Sequence, residues 1–439
     1  MTGRTHAVVV GGGMAGLCTA AVLAGHFPRV TVVERDRISE LRPGVARRGV
    51  PQGPHVSLLA LRGIQQLDAL FPGLLSQCLA DGAVAAEAGS QVRVTFHGHR
   101  LRQNDAGLDI LLASRPFLEE RIRARVLHDP AVTLLEGTHA SALLADRNHS
   151  GRSGVRGVRV HSGQADAAGR ELAADLVVDA TGRGARSGAW LAQLGYEQAP
   201  EQGIPADVSY ASRHFSLPPD VLGTDRAVVI GATQQQPLGM TFVAQEAGTW
   251  VLSLQSYSGR RPPRDADELL AAAAEIAPAD VMRHLRGAEA IDPVSVHRFP
   301  SGIRRHYQRL RRFPTGLLVI GDAICSINPV YGSGMAMAVA QAIELDDCLG
   351  RGGPLAPRFF QAAHRTTRQS WRVAACGDYS INQGNRASHV LGACFRRTMA
   401  AAARDPAVAT AVVQLIGLTA SPRQLARPGI LRRILVPGR

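Results

Sequence analysis

Residues 7–36, AVVVGGGMAGLCTAAVLAGHFPRVTVVERD, alternate between apolar runs and turns in the order that a βαβ unit requires. The first apolar run predicts a buried strand, and the small residues after the glycine cluster predict a helix. The second apolar run, TVV, predicts another buried strand, which ends at Glu34. The pattern therefore predicts two parallel strands joined by a helix, with a tight glycine turn before the helix.

The three spaced glycines of that turn have separate physical uses in a dinucleotide-binding unit. Gly11 permits the tight turn, Gly13 lets the backbone approach a pyrophosphate, and Gly16 lets helix and strand pack closely. Glu34 ends the second strand where an acid accepts the hydroxyls of an adenosine ribose. The spacing predicts a dinucleotide on the helix N-terminus, and the alternative is a glycine-rich turn at a close helix–strand contact.

Two later segments indicate which dinucleotide binds. Residues 175–182, DLVVDATG, read as an apolar strand that ends in a small turn. Residues 316–335, GLLVIGDAICSINPVYGSGM, read as a strand, a Pro/Gly-rich loop and the start of a helix. A second acid-capped strand late in the chain suits FAD, which lies extended and presents ribityl hydroxyls to a carboxylate such as Asp322. The glycines after it let backbone N–H groups and a helix N-terminus face the pyrimidine end of the flavin.

These segments, together with RGVPQGPH at residues 48–55 and SRPFLEERIRARV at residues 114–126, resemble the flavoprotein monooxygenases built like p-hydroxybenzoate hydroxylase. Within that family the chain most resembles the branch that includes the epoxidases of polyether-antibiotic pathways. The resemblance covers much of the first two hundred residues and about residues 315–345. It implies an α/β fold, in which a Rossmann-like FAD domain of the glutathione-reductase type is interleaved with a β-sheet substrate domain.

The resemblance also implies roles for single residues. It places Arg48 near the FAD pyrophosphate and Arg115 near the ribityl-phosphate region; the alternatives are a solvated arginine and a residue of a helical first turn. The loop PVYGSG is expected beside the flavin ring, with Pro329, Tyr331 and Gly332 nearest the reaction and no side-chain acid or base assigned. The predicted cofactor-binding residues are Gly11, Gly13, Met14, Ala15, Gly16, Glu34, Arg35, Arg48, Arg115, Asp179, Gly182, Gly321, Asp322, Gly332, Gly334 and Met335.

The predicted domains interleave along the chain. Residues 1–75, 100–190 and 300–355 are expected to form the FAD-binding domain, and residues 76–99 and 191–299 the substrate-binding domain. VTFHGHRL and TWVLSLQSYS alternate as strands do. The alanine-rich residues 356–439 predict a helical C-terminal region. Its end combines apolar residues with arginines and is interpreted as a helix that caps the FAD domain, the alternative being a membrane-surface helix.

Composition excludes several classes of protein. All 49 basic residues are arginines, and the formal net charge is +13. The lack of lysine excludes Schiff-base and pyridoxal-phosphate chemistry, and also the flavin-dependent tryptophan halogenases, which need a lysine. The arginines are scattered and few aromatic residues accompany them, so no nucleic-acid surface is predicted. Cysteines and histidines lack metal-ligand spacing, which predicts no metal site. A chain without a signal peptide or a long uncharged apolar stretch is expected to be cytoplasmic.

The predicted function is FAD-dependent monooxygenation in bacterial natural-product biosynthesis. A flavin C4a-hydroperoxide would transfer oxygen to a C=C bond of an apolar polyketide- or terpenoid-type intermediate, a reaction that needs no side-chain base. Aromatic hydroxylation and double-bond reduction of the geranylgeranyl-reductase type are the alternatives. A non-catalytic flavin-fold protein that holds a hydrophobic ligand or partner is a further one, and the intact glycine turn, Glu34 and Asp322 argue against it. The expected partners are the hydrophobic substrate, O2 and NAD(P)H, which reduces the flavin directly or through a flavin reductase. Related hydroxylases carry Asp-Gly where this chain has Asp179-Ala180, a departure that argues against direct reduction by NADPH.

Overall fold

The computed structural model describes residues 3–42, 44–59, 61–147, 153–163, 169–382, 386–417 and 419–435. These ranges contain twenty strands and twelve α-helices. The strands are β1 His6–Val10, β2 Arg29–Val33, β3 Leu58–Leu59, β4 Val84–Glu87, β5 Val92–Phe96, β6 His99–Arg100, β7 Asp109–Leu112, β8 Val132–Leu135, β9 Thr138–Arg147, β10 Ser153–Ser162, β11 Arg170–Ala173, β12 Leu176–Asp179, β13 Glu201–Ser216, β14 Ala227–Ile230, β15 Leu238–Gln245, β16 Thr249–Tyr257, β17 Glu289–Ala290, β18 Ser295–Arg305, β19 Leu317–Val319 and β20 Cys325–Ser326. The helices are α1 Met14–Ala24, α2 Leu61–Leu70, α3 Leu74–Ala80, α4 Arg115–His128, α5 Ser187–Gln193, α6 Ala266–Ala274, α7 Ala279–Gly287, α8 Gly334–Leu349, α9 Leu355–Ile381, α10 Arg386–Ala402, α11 Pro406–Ile416 and α12 Pro428–Leu435.

A parallel five-stranded sheet, in the order β19-β12-β1-β2-β8, forms the first layer. Its central strand β1 is buried along its whole length, as expected for a parallel strand that is covered on both faces. Helix α1 packs against β1, β2 and α8, while β10 of a separate antiparallel sheet, β11-β10-β9, lies against β12. The sheet therefore brings the carboxyl ends of β1, β12 and β19 side by side.

A second sheet of nine strands runs in the order β20-β18-β13-β16-β15-β14-β5-β6, with β17 added beside β13. Successive side chains along its strands point to two faces of different character. One face is apolar, and its Phe215 and Trp250 are buried with Leu269 of α6 and Val281 of α7. The other face carries buried polar side chains in cross-strand register, which are Tyr210, Ser212, Thr241, Ser253 and Gln255.

This architecture confirms the predicted α/β fold and the helical C-terminal region. VTFHGHRL forms the hairpin of β5 and β6, and TWVLSLQSYS forms β16. A small fourth sheet, β3-β7-β4, was not anticipated from the alternation of apolar residues.

The C-terminal helices lie elsewhere than expected. Apolar residues of α10 and α11, such as Met399 and Val408, pack with Leu101 and Phe96 at the edge of the nine-stranded sheet, not over the five-stranded sheet. Ile430 of α12 joins the same cluster. The apolar side chains at that sheet edge explain the position, because α10–α12 remove them from water. The last residues of the predicted basic tail, 436–439, lie outside the described residues. No helix in the described ranges is long and apolar enough to cross a membrane.

Candidate functional site

The turn after β1 has the geometry that its glycines predict. Gly11 has a φ of 108°, and a Cβ there would lie 2.6 Å from the carbonyl oxygen of Ala180. A Cβ on Gly16 would overlap the carbonyl oxygen of Gly11. Both positions therefore require glycine, one for the backbone conformation and one for the close packing of α1 on the turn.

Gly13 differs from its neighbours. It has ordinary extended backbone angles, φ −85° and ψ −174°, and stands at the N-terminus of α1. The nearest atoms to a Cβ at this position would be 3.7 Å away on Arg47 and 3.9 Å away on Glu119, so the space beside its backbone is open. No side chain caps the first turn of α1 among the described residues. The uncapped N–H groups of that turn, with Met14 and Ala15, are free to bind an anion.

Glu34 directly follows β2 and lies buried behind this turn. Its carboxylate accepts hydrogen bonds from the backbone N–H groups of Gly12, at 2.8 Å, and Asp36, at 2.9 Å. It also forms a 3.0 Å ion pair with Arg47. The side chain of Arg35, which was predicted to bind the cofactor, points to the exposed surface and reaches the backbone of Arg48 at 3.5 Å.

The arginine beside the glycine turn is Arg47, where the sequence predicted Arg48. Arg47 donates to the carbonyl oxygen of Gly12 at 3.0 Å and pairs with Asp36 at 2.8 Å and Glu119 at 3.4 Å. Burial alone would lower its pKa, but the surrounding carboxylates, Glu119 first, raise it. The side chain of Arg48 is exposed. The two arginines are adjacent in sequence, and the path of the loop decides which one turns inward.

Arg115 and Asp322 come close to each other on the other side of the turn. Arg115 begins α4 and donates a 2.8 Å hydrogen bond to Glu119, one helical turn later. Asp322 follows β19 in a single helical turn, and its carboxylate has no hydrogen-bond partner among the described residues. Burial raises the pKa of Asp322, while the charges of Arg115 and Arg183 lower it. An unpaired carboxylate between two arginines is suited to accept hydroxyl groups.

The segment DATG lies against the first turn through its backbone. Asp179 is fully buried, and its carboxylate accepts hydrogen bonds from Thr181 and, at 2.9 Å, from the backbone N–H of Ser187. Asp179 therefore holds the loop before α5 in place. Gly182 has a φ of 78° and open space beside it.

Gly321 connects the late segment to the first one. Its φ is 72°, and a Cβ there would lie 2.6 Å from the Cβ of Ala15 on α1. Its N–H donates to the side chain of Gln341 on α8 at 2.9 Å. The carboxyl end of β19 is thus packed directly on the first turn of α1.

The loop of residues 329–334 leads into α8 and is held from behind by α9. Gly332 has a left-handed φ of 62°. The Tyr331 hydroxyl donates to Oδ1 of Asp378 at 2.9 Å, and the Asn328 amide donates to the same atom at 2.8 Å. Burial raises the pKa of Asp378 to about 7, and its other oxygen, Oδ2, has no partner among the described residues.

The loop faces the polar side of the nine-stranded sheet. The Tyr210 hydroxyl donates to the side chain of Asn328 and accepts from the backbone N–H of Val330 at 3.1 Å. The Ser57 hydroxyl lies 3.9 Å from the sulfur of Met335, which is buried in the first turn of α8. The segment 48–57, the loop and this sheet face therefore enclose one region.

The groups of this region fit FAD. Open space at Gly13, Gly182 and Gly334 leaves the backbone accessible, and the unpaired carboxylate of Asp322 lies between them. No side chain caps α8 either, so in the described structure both α1 and α8 begin with free N–H groups. An extended dinucleotide would meet a helix N-terminus at its pyrophosphate and another at its flavin ring.

Several residues of the region had no readable signal in the sequence. His55 stands in the RGVPQGPH segment but carried no assigned role. Asn328 adjoins the predicted loop, Asp378 lies on a distant helix, and Arg183 contacts the ring of Phe299 at 4.6 Å. Tertiary packing brings these residues into the region, so spacing along the chain could not identify them.

Comparison with known families and proteins gives four matches. Residues 4–351 match the family model described as FAD binding domain. The chain is 36% identical over 431 residues to Protein Rv3254 of Mycobacterium tuberculosis, covering 93% of this chain and 90% of that protein. Its fold is similar to that of p-nitrophenol 4-monooxygenase PnpA from Pseudomonas putida DLL-E4, with a TM-score of 0.66, 16% identity and complete coverage of both chains. It is also similar to the flavin-dependent brominase Bmp2, with a TM-score of 0.68, 16% identity and 98% coverage of each chain.

Proposed function

The chain belongs to the FAD binding domain family and is a flavin-dependent oxidoreductase, and on that premise we propose that it is a monooxygenase that epoxidises alkenes. The proposed substrates are polyketide- or terpenoid-type intermediates of bacterial natural-product biosynthesis, like those of the polyether-pathway epoxidases that the sequence resembles. One oxygen atom of O2 enters the C=C bond as an epoxide. The other atom leaves as water, and NAD(P)H and a proton supply the two electrons and the hydrogens.

The residues around the two glycine turns support FAD as the cofactor. Bound and reduced FAD supplies an electrophilic oxygen atom from O2. In this proposal the N-terminus of α1 at Gly13 holds the pyrophosphate, and Asp322 accepts the ribityl hydroxyls. The start of α8, from Gly334, stabilises negative charge at the pyrimidine end of the ring. Tyr331 and Gly332 shape the loop that keeps water away from the reacting atoms.

The weak basicity of two neighbouring histidines is the observation that favours alkenes. His55 packs against Tyr210 and His297 of the nine-stranded sheet. Burial lowers the pKa of both histidines, for His55 to about 3 with help from His297 and His214. Such weak bases are poorly suited to deprotonate a phenol. An alkene needs no deprotonation, because its π bond is already nucleophilic.

Aromatic hydroxylation is the second candidate, and the buried polar row of Tyr210, Ser212 and Ser253 is what favours it. These groups suit a ring that bears a polar substituent. The brominase Bmp2 shares the fold, but this chain has no lysine, which supports oxygen transfer over halogenation. The electron donor NAD(P)H, acting directly or through a flavin reductase, is part of the proposal.

Mass spectrometry with labelled oxygen tests the proposal. The FAD-loaded protein is incubated with NAD(P)H, with or without a flavin reductase, and with polyene substrates under ¹⁸O2. We expect a product with one labelled oxygen that acid hydrolyses to a diol. A labelled phenol would assign aromatic hydroxylation, and a gain of two hydrogens without oxygen would assign the reductase class. The Gly13→Val variant is the matched control, since it should bind no FAD and form no product.

A further inference from the structure

His55 is a buried histidine that the proposed reaction does not use. It is 7% exposed and follows the RGVPQGP segment. Its Nδ1 lies 2.7 Å from the hydroxyl of Ser212, in the centre of the nine-stranded sheet. Its ring packs against those of Tyr210 and His297, which are cross-strand neighbours on β13 and β18, with centroid distances of 5.9 and 5.8 Å. These contacts and the hydrogen bond to Ser212 hold the imidazole in place.

The neighbouring hydrogen bonds determine where the imidazole proton resides. The Ser212 hydroxyl donates to the Ser253 hydroxyl at 2.7 Å, so its oxygen is free only to accept. His55 must therefore donate from Nδ1, and the neutral ring then carries its lone pair on Nε2. Among the described residues, no group bonds to that Nε2. An imidazole acceptor that no protein group occupies is available to a ligand that donates a hydrogen bond.

Contacts of residues close to His55 place its imidazole next to the proposed flavin site. Two residues later, Ser57 contacts Met335 in the first turn of α8. The neighbouring Tyr210 is bonded to Asn328 and Val330 at the start of the loop. The imidazole is thus enclosed between the sheet and the loop that leads into α8.

We propose that Nε2 of His55 accepts a hydrogen bond from a neutral hydroxyl group of the substrate and so selects alkenes or arenes that carry an alcohol or a phenol. The inference rests on the proposed function, because it places the substrate beside the loop of residues 329–334. It refines the expectation of a wholly apolar substrate. In this role His55 orients the substrate and does not remove its proton.

Binding measurements with matched pairs test the inference. The FAD-loaded protein is titrated with geraniol and geranyl methyl ether, and with 1-naphthol and 1-methoxynaphthalene, while the flavin absorption spectrum is recorded. We expect the hydroxyl member of at least one pair to bind about tenfold more tightly than its ether, the size of one good hydrogen bond. His55→Phe keeps a flat ring without the acceptor and should bind both members of that pair equally. His297→Phe, the matched control, should keep the preference.

Two results would overturn the inference: a wild-type protein that binds ether and hydroxyl equally in both pairs, or a preference that survives in His55→Phe. If His55→Phe does not fold, Ser212→Ala replaces it. Ser212→Ala releases the imidazole proton from Nδ1 and should reduce the preference, so an unchanged preference there also contradicts the inference. Labelled-oxygen transfer is measured on the same samples. Oxygen transfer without a preference for the hydroxyl compound would contradict this inference alone. A preference for the hydroxyl compound without oxygen transfer would contradict the proposed function alone.

Discussion

The Tyr331 hydroxyl donates a 2.9 Å hydrogen bond to Asp378, which joins the loop beside the proposed flavin position to the long helix α9. Asn328 donates to the same carboxylate oxygen. Gly377, next to Asp378, has no room for a side chain because the Tyr331 ring lies against it. Residue 378 lies beyond residues 4–351, which match the family model, so the C-terminal region supplies part of the loop's support.

Asp378 predicts a pH dependence of stability. Burial raises its pKa from 3.8 to about 7, so the folded protein retains a proton that the unfolded chain releases. Stability is therefore lost as the pH rises from about 4 to about 7. Asp378→Asn removes that loss, and the variant should gain on the wild type across this range by up to a few kcal/mol, on the order of 1.4 kcal/mol per pH unit. Urea unfolding at pH 4.5, 6 and 7.5 measures the difference.

The control for that experiment is the exposed Asp347→Asn, which should follow the wild type at every pH. The tyrosines beside Asp378, which are Tyr331, Tyr257 and Tyr210, all have pKa values raised by burial and stay neutral over the range. A constant difference between Asp378→Asn and wild type at all three pH values would contradict the prediction.

Asp322 is expected to contribute directly to FAD binding. Asp322→Ala removes an unpaired carboxylate that would accept ribityl hydroxyls, and binding should weaken by about 1.5–3 kcal/mol, the range for hydrogen bonds to a charged group. Quenching of FAD fluorescence on binding gives the dissociation constant. The exposed Asp220→Ala should leave it unchanged, and equal constants for Asp322→Ala and wild type would show that the ribityl chain lies elsewhere.

Gly13 and Gly16 should respond differently to valine. Gly13 has extended backbone angles and open space, so Gly13→Val should fold with a stability change of about 0.5 kcal/mol or less, yet bind no FAD. Gly16→Val places its side chain on the Gly11 carbonyl and should prevent folding. Circular dichroism and flavin absorbance separate the two outcomes. Normal flavin content in Gly13→Val would place the pyrophosphate away from this turn.

Gly332 is expected to control the coupling of reduction to oxygen transfer. Its φ of 62° is unfavourable for a β-branched residue, so Gly332→Val should displace the loop while FAD stays bound at the two glycine turns. Hydrogen peroxide formed per NAD(P)H consumed should rise, and product should fall. Tyr331→Phe, which loses only the bond to Asp378, should show a smaller effect in the same direction. Unchanged coupling in Gly332→Val would separate the loop from the reaction.

Local sequence patterns were sufficient to predict the structure where a single turn determines it. Gly11, Gly16 and Gly321 each occupy a position where a Cβ would clash, and the spacing of apolar runs around them predicted the right strands. The choice between Arg47 and Arg48 was not local, because it depends on carboxylates from β2 and α4. Asp378 reaches the loop, and His55 reaches Tyr210 and Ser212 of the sheet, through packing of distant elements, for which a periodic pattern carries no information.

The contact between Gly321 and Ala15 has a consequence for how the protein is made. The parallel sheet places β19 beside β12, and β12 beside β1. The segment from β19 to Gly321 therefore completes a structure that the first ten residues begin. A ribosome synthesises about 5–20 residues per second, which leaves the first glycine turn incomplete for tens of seconds. Cofactor loading is therefore a late event in the life of the nascent chain, and a chain truncated before β19 would carry a dinucleotide turn with nothing to close it.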